Sequence, residues 1–238
     1  MLHMKAIGNS VIGMKRTNNE DAIYVNEQKN LYVVADGMGG CNAGEVASNT
    51  AISIFVEAME KTENEEILDR MMFATRACNQ IVYQKAKNNI EYTDMGTTLV
   101  AACIEKEKVF IIYVGDSRAY RFRDNELCQI TTDHSYVMEL VKIGSITKEE
   151  AEVHPKKNII TRAIGVREDV EPDIVIADIK EGDKILLCTD GLSNMVSNKE
   201  MEKILTTECS TEEKVKKLVL LANHKGGLDN ISLILIEI

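Results

Sequence analysis

Only two prolines interrupt the 238 residues, and no low-complexity tract or internal repeat occurs. With 45% hydrophobic and 28% charged residues, this composition excludes a long disordered tail or linker and predicts one compact domain spanning residues 1–238 with a substantial core. A basic surplus is missing as well. Lysine and arginine number 28 against 38 acidic residues, a formal charge of −10, so nucleic-acid phosphates and anionic lipid are both poor partners. The longest uncharged apolar runs reach strand length, far short of the roughly 20 residues that cross a bilayer, and MLHMKAIGNSV carries no apolar signal core. Cys41, Cys78, Cys103, Cys128, Cys188 and Cys209 form no C-x-x-C pair. They are expected to be reduced core thiols of a cytoplasmic protein. His3, His134, His154 and His224 show no metal-ligand spacing, and no Walker sequence is present.

What is present is a set of short Val, Ile and Leu runs: LYVVA (31–35), TTLVAAC (97–103), VFIIYV (109–114), KILLCT (184–189) and ISLILI (231–236). Their continuous rather than alternating character predicts strands covered on both faces. Helical spacing appears over Ala47, Ala51, Ile54, Phe55 and Ala58, over Ile67, Met71, Ala74, Cys78 and Ile81, and over Val215, Leu218, Val219 and Ala222. Capping-box pairs at Thr62/Glu65, Thr147/Glu150, Ser197/Glu200 and Ser210/Glu213 mark helix starts. This order lacks regular β-α-β alternation, so sheets flanked by helices fit better than a doubly wound sheet. Residues from about 137 to 170 hold Gly144, Pro155 and Gly165 and are expected to form a functional or mobile excursion between strands.

Aspartates fall where apolar runs end or begin. LYVVA leads into Asp36, VFIIYV into Gly115 and Asp116, and KILLCT into Asp190, while Glu20 and Asp21 precede AIYV and Asp229 precedes ISLILI. Antiparallel pairing sets the end of one strand beside the start of the next, which gathers all six carboxylates on one sheet edge. Any one of them alone is an ordinary turn residue. Several together, in glycine-rich turns, require a cation, because charges about 4 Å apart repel by roughly 4 kcal/mol per pair at an effective dielectric near 20. An all-oxygen set suits Mg²⁺ or Mn²⁺, whereas Zn²⁺ would recruit His or Cys.

DGMGGCNAG looks at first like a dinucleotide-binding turn, but the third glycine is replaced by Asn42 and a second helix follows the first. Two hard ions sharing a carboxylate activate a water and shield a phosphate, which points to phosphate-ester hydrolysis. Arg16, five residues before Asp21, is placed to grip the phosphate with its guanidinium fork. Its bland reading is a surface salt bridge.

Seven stretches in order, R-x-x-x-E-D (16–21), DGMGG (36–40), GTT (96–98), VGDSRAY (114–120), TRAIG (161–165), LLCTDGLSNMV (186–196) and GGLDNIS (226–232), resemble the metal-dependent protein serine/threonine phosphatases of the 2C type, in particular the compact bacterial ones. The resemblance covers nearly the whole chain. It implies an α+β fold, a four-layer α-β-β-α sandwich of two antiparallel sheets flanked by helices, with a binuclear Mn²⁺ or Mg²⁺ centre and room for a third ion. It implies further that Asp36 bridges the core metals, that the Gly37 carbonyl ligates one, and that Asp190 and Asp229 hold the pair. Glu20 and Asp21 would act through waters, Asp116 and the Asn158 backbone at a third site, Arg16 on the phosphate, and Asn230 in orienting solvent. Residues 137–170 correspond to the family's flap.

Two departures leave the general acid open. Met38 and Cys41 stand where related chains carry histidine, leaving a water on the ion or His134 for that role, while Cys41 itself reads as a small filler. The expected function is hydrolysis of phosphoserine and phosphothreonine in proteins by a metal-activated water, in a monomer that opposes a serine/threonine kinase in cell signalling. A catalytically silent module that binds phosphoproteins or a kinase is the competing reading, and an esterase for small phosphometabolites a third.

Overall fold

The structure, a computed structural model, describes residues 4–39 and 43–238; Cys41 lies outside them. Strands β1 (Lys5–Val11), β2 (Asp21–Asn26) and β3 (Leu31–Met38) lead into helices α1 (Ala43–Lys61) and α2 (Ile67–Asn88). Next come β4 (Gly96–Thr97), β5 (Leu99–Glu105), β6 (Lys108–Val114), β7 (Arg118–Arg123) and β8 (Glu126–Gln129). The excursion carries α3 (Tyr136–Lys142) and α4 (Lys148–Glu152), and then β9 (Asp173–Asp178), β10 (Lys184–Cys188), α5 (Asp190–Ser193), α6 (Asn198–Leu205), α7 (Thr211–His224) and β11 (Ile231–Glu237) follow.

Two antiparallel sheets result, one in the order β1-β11-β10-β7-β8 and the other β2-β3-β5-β6-β9, with β4 attached to β3. Strand alternation sorts the core. Tyr32 and Val34 point between the sheets and meet Ile185, Leu187, Ile234 and Ile236 of the opposite sheet, whereas Leu31, Val33 and Ala35 turn outward onto Phe55, Met71 and Cys78 of α1 and α2. On the far side, Leu186, Leu233 and Leu235 pack against Met201, Val215 and Leu218 of α6 and α7. Each such fully buried Leu or Ile contributes roughly 1.5–3 kcal/mol. The layers are therefore helix, sheet, sheet, helix.

Three of the four capping boxes are formed, at Thr147/Glu150, Ser197/Glu200 and Ser210/Glu213. The one expected at Thr62 is not. Glu66 is the N-cap of α2, and Thr62 instead donates its hydroxyl to the Ala58 carbonyl at 2.8 Å. The cysteines also divide: Cys78, Cys103 and Cys188 are buried, but Cys128 is exposed and Cys209 half-exposed. Burial pushes the Cys78 and Cys188 thiols up to about 12.

Candidate metal and phosphate site

One edge of the two sheets gathers the ends of β1, β3, β6 and β10 with the starts of β2, β5, β7 and β11. Asp36 on β3 lies directly opposite Asp21 on β2. Both backbone groups of Asp36 are pinned: its N–H donates to Thr98 Oγ1 at 2.9 Å, and its carbonyl accepts from Thr97 Oγ1 at 2.8 Å. Thr98 and Ser117 share a hydroxyl contact of 2.6 Å, which ties the Asp36 strand to the loop of Asp116. Thr189 donates to Asp21 Oδ2 at 2.9 Å. These hydroxyls went unread in the sequence, although GTT and TDG flank the acidic residues and were the available signal.

Close backbone approach explains two of the glycines. A Cβ on Gly37 would overlap the carbonyl oxygens of Gly44 and Glu20, and one on Gly191 would overlap that of Asn230. Asn230 is held from three sides. Its Oδ1 accepts from the Glu20 N–H at 2.8 Å, and its Nδ2 donates to the carbonyls of Ile12 at 3.0 Å and Asn18 at 2.8 Å. With both amide hydrogens on backbone oxygens, it positions the Glu20 loop and keeps one lone pair of Oδ1 beyond that contact.

The carboxylates sense one another. Burial first, and then the charges of Asp21, Asp190, Asp116 and Asp229, hold Asp36 well above the usual carboxylate range. Burial also lifts Asp21 to about 7, against hydrogen bonds from Ser232 and Thr189, and lifts Asp116 to about 7 with Asp190 and Asp133 adding to it. Asp190 is raised by burial and by Asp229 while it hydrogen-bonds Asp36. Glu20 is raised by burial, with Arg16 opposing. Arg16 Nη2 contacts Asp229 Oδ2 at 2.8 Å, with about half of its side chain exposed. The arginine thus sits on the acidic edge with a solvent-facing fork.

Asn158 lies exposed in the excursion. His134 is buried at 3% exposure, and its Nδ1 accepts from the Gly115 N–H at 3.1 Å. Its Nε2 faces Asp173 at 3.3 Å without an aligned hydrogen bond. Enclosed in this way, it does not reach the open edge as a proton donor.

The edge fits Mg²⁺- or Mn²⁺-type ions in donor type and in charge. Asp21 Oδ1 is buried without a hydrogen-bond partner, and the charge of Asp190 acting on Asp36 is the repulsion a cation between them would relieve. Among the described residues, no three acidic, histidine or cysteine side chains close on one point. A donor set of carboxylates and backbone carbonyls suits ions that keep several waters and take one or two carboxylates directly.

The sequence model of protein phosphatase 2C matches residues 8–224. The chain belongs to the protein phosphatase 2C family. Within it, the chain is 43% identical over 232 residues to the serine/threonine phosphatase Stp of Listeria welshimeri, covering 94% of this chain and 92% of that one. The solved serine/threonine phosphatase of S. agalactiae superposes with a TM-score of 0.93 at 39% identity, over 99% of this chain and 100% of that one. The catalytic domain of the phosphatase PstP in complex with two manganese ions gives 0.88 at 35% identity, over 98% and 97%. The four-layer architecture described above is thus shared with protein phosphatase 2C members of known structure.

Proposed function

We propose that this protein hydrolyses phosphoserine and phosphothreonine in proteins at the acidic edge. The observation that carries the reading is the group of mutually repelling carboxylates, Asp36, Asp21, Asp190 and Asp116, faced by the half-exposed guanidinium of Arg16. Divalent ions, when bound, supply a nucleophilic water at neutral pH and shield the charge of the phosphate. The chain's own part is positioning. Asp36, the Gly37 carbonyl, Asp190 and Asp229 would hold two ions of the manganese or magnesium kind, Glu20 and Asp21 would act on them through waters, and Asp116 with the Asn158 backbone would serve a weaker third position. Arg16 releases Asp229 and turns its fork to two phosphate oxygens. Thr97, Thr98 and Thr189 keep Asp36 and Asp21 from swinging away, so the acceptor geometry is held before substrate arrives. The flap, about 137–170, borders the Asp116 loop and shapes access.

The proposal places the protein as a single-domain cytoplasmic monomer acting on phosphoproteins in signalling, opposite a serine/threonine kinase. A silent binding module would have no use for a complete acidic edge. Chelation is expected to abolish turnover of p-nitrophenyl phosphate and of phosphothreonine peptides, and Mn²⁺ or Mg²⁺ to restore it. Arg16→Ala is expected to lower kcat/KM about 10- to 100-fold, the loss of charge-assisted hydrogen bonds of roughly 1.5–3 kcal/mol. Turnover that persists under chelation would remove the proposed chemistry.

A further inference from the structure

Strand β9 ends its sheet, pairing among the described residues with β6 alone. The phase of the hydrogen bonds is fixed at one end, where the Ile179 N–H donates to the Glu107 carbonyl at 2.9 Å. In an antiparallel pair such bonds alternate. Ala177 and Val175, opposite Val109 and Ile111, therefore turn their backbone groups toward β6, while Ile174, Ile176 and Asp178 turn theirs outward. Asp178 agrees with that phase, since its carbonyl is taken from outside by Arg123 Nη2 at 3.0 Å. Two consecutive outward positions are left, and their side chains are the exposed isoleucines Ile174 (38%) and Ile176 (47%). An apolar edge strand bearing no lysine or proline is the arrangement that proteins ordinarily blunt.

Both ends of this edge are acidic. Beyond the Asp178 end lies a cavity of about 890 Å³, lined by Phe110 and by Glu66, Asp69, Glu105, Glu107 and Asp178 against Lys106 and Lys108. None of these charged groups is in an ion pair among the described residues. Phe110 stands directly opposite Ile176, so the apolar edge runs into that cavity. Before the strand, Glu168, Asp169 and Glu171 are exposed beside the exposed Arg167, and Asp173 is paired with Arg162 at 2.9 Å, so acidic groups outnumber basic ones at this end too. The direction of β9 also matters. Asp173 pairs with Tyr113, three residues before Asp116, so the near end of β9 lies on the order of 10 Å from the catalytic edge at about 3.3 Å per residue.

We propose that the outer edge of β9 docks an extended segment of the phosphoprotein substrate by strand addition. The segment has alternating β-branched residues flanked by lysine or arginine. An antiparallel segment runs toward the catalytic edge, so the phosphorylated residue lies C-terminal to it. Main-chain bonds from Ile174 and Ile176 supply affinity, while the isoleucines and the acidic ends supply selection. This rests on the phosphatase reading above and adds a substrate class to it.

The test compares phosphothreonine peptides that carry Lys-Arg-Val-Gln-Val-Gln-Lys about four residues before the phosphothreonine, the same segment placed after it, or a Glu/Gly-substituted version. The first is expected to show a KM about tenfold lower at similar kcat, as tethering raises local concentration. Ile174→Lys and Ile176→Lys, both at exposed positions, are expected to erase that gain and leave p-nitrophenyl phosphate turnover unchanged. Fluorescence anisotropy of the labelled, unphosphorylated segment reads docking separately from turnover. Equal KM for all three peptides, or a gain that survives in Ile176→Lys, overturns the proposal. So does a sedimenting dimer that Ile176→Lys abolishes, because a second copy would then occupy the edge. Failure of the phosphatase reading looks different, with no peptide turned over at all while the anisotropy signal still reports the edge.

Discussion

Gly115 donates its N–H to Nδ1 of His134 at 3.1 Å and accepts at its carbonyl from the backbone N–H of the same histidine at 2.9 Å. The carbonyl of His134 then accepts from the Thr161 N–H at 2.7 Å, and the ring stacks on Tyr113 at 5.1 Å. One residue thus joins the turn that presents Asp116 to the end of the flap. Its accepting Nδ1 requires the neutral ring, and burial, followed by the charge of Arg162, lowers its pKa although Asp173 opposes. The unfolded histidine takes up a proton near 6.5, before the folded one does. The unfolded state therefore binds more protons as pH falls below about 6.5, and this contribution to stability is lost in that direction. Asp21 and Asp116, raised to about 7, act in the opposite sense, so the quantity to read is the difference between wild type and variant. His134→Phe is expected to lose about 1–3 kcal/mol in urea unfolding at pH 7.5 and to lose less at pH 5.5. His134→Asn, whose amide oxygen substitutes for Nδ1, is expected to recover part of that loss. Parallel curves for wild type and His134→Phe would refute the neutral clamp. The carboxylates were legible in the sequence because each sits beside a long apolar run. The burial of one histidine in DHS leaves no periodic trace, and neither do the hydroxyls of Thr98 and Thr189.

Among the elements, the central strands were the readable ones. β3, β5, β6, β10 and β11 are covered on both faces and spell continuous apolar runs. The edge strands β1 and β9 do not, and neither does β7 inside its sheet. β1 (KAIGNSV) mixes glycine and polar residues, β7 (RAYRFR) alternates arginine with apolar residues, and β9 (DIVIAD) follows a proline and exposes every second side chain. Helix starts show the same division between pattern and physics. Ser210 caps α7 by accepting from the Glu213 N–H at 3.2 Å, while the Glu213 carboxylate accepts from the Ser210 N–H at 2.9 Å. Thr62/Glu65 has the same spelling, yet the N-cap of α2 falls at Glu66. Ser210→Ala is expected to cost about 1 kcal/mol of stability and Thr62→Ala less than about half of that. Chemical denaturation of both variants checks the ranking, and equal losses would contradict the assigned caps.

For the whole molecule, the acidic edge is a standing load that folding assembles and a cation relieves. An ion that binds the folded chain alone stabilises it by about 2.7 kcal/mol at a hundred times its dissociation constant, which corresponds to a shift of roughly 5–10 °C for a chain of this size. Chelated protein is therefore expected to melt at least 5 °C below the same protein in excess Mn²⁺, and Asp36→Ala to shrink that gap. Coincident melting curves would mean that the edge takes up no ion. The pairing of the first and last strands reaches further. Lys5 lies in register with Glu237, and Val11 with Ile231. The seven pairs of that ladder run roughly 20 Å from the corner where Lys5 meets Glu237 to the catalytic rim. A module joined to the described fold before Lys5 or after Glu237 would therefore depart from one shared corner, a full strand's length from the chemistry, where its bulk leaves the phosphate's approach open.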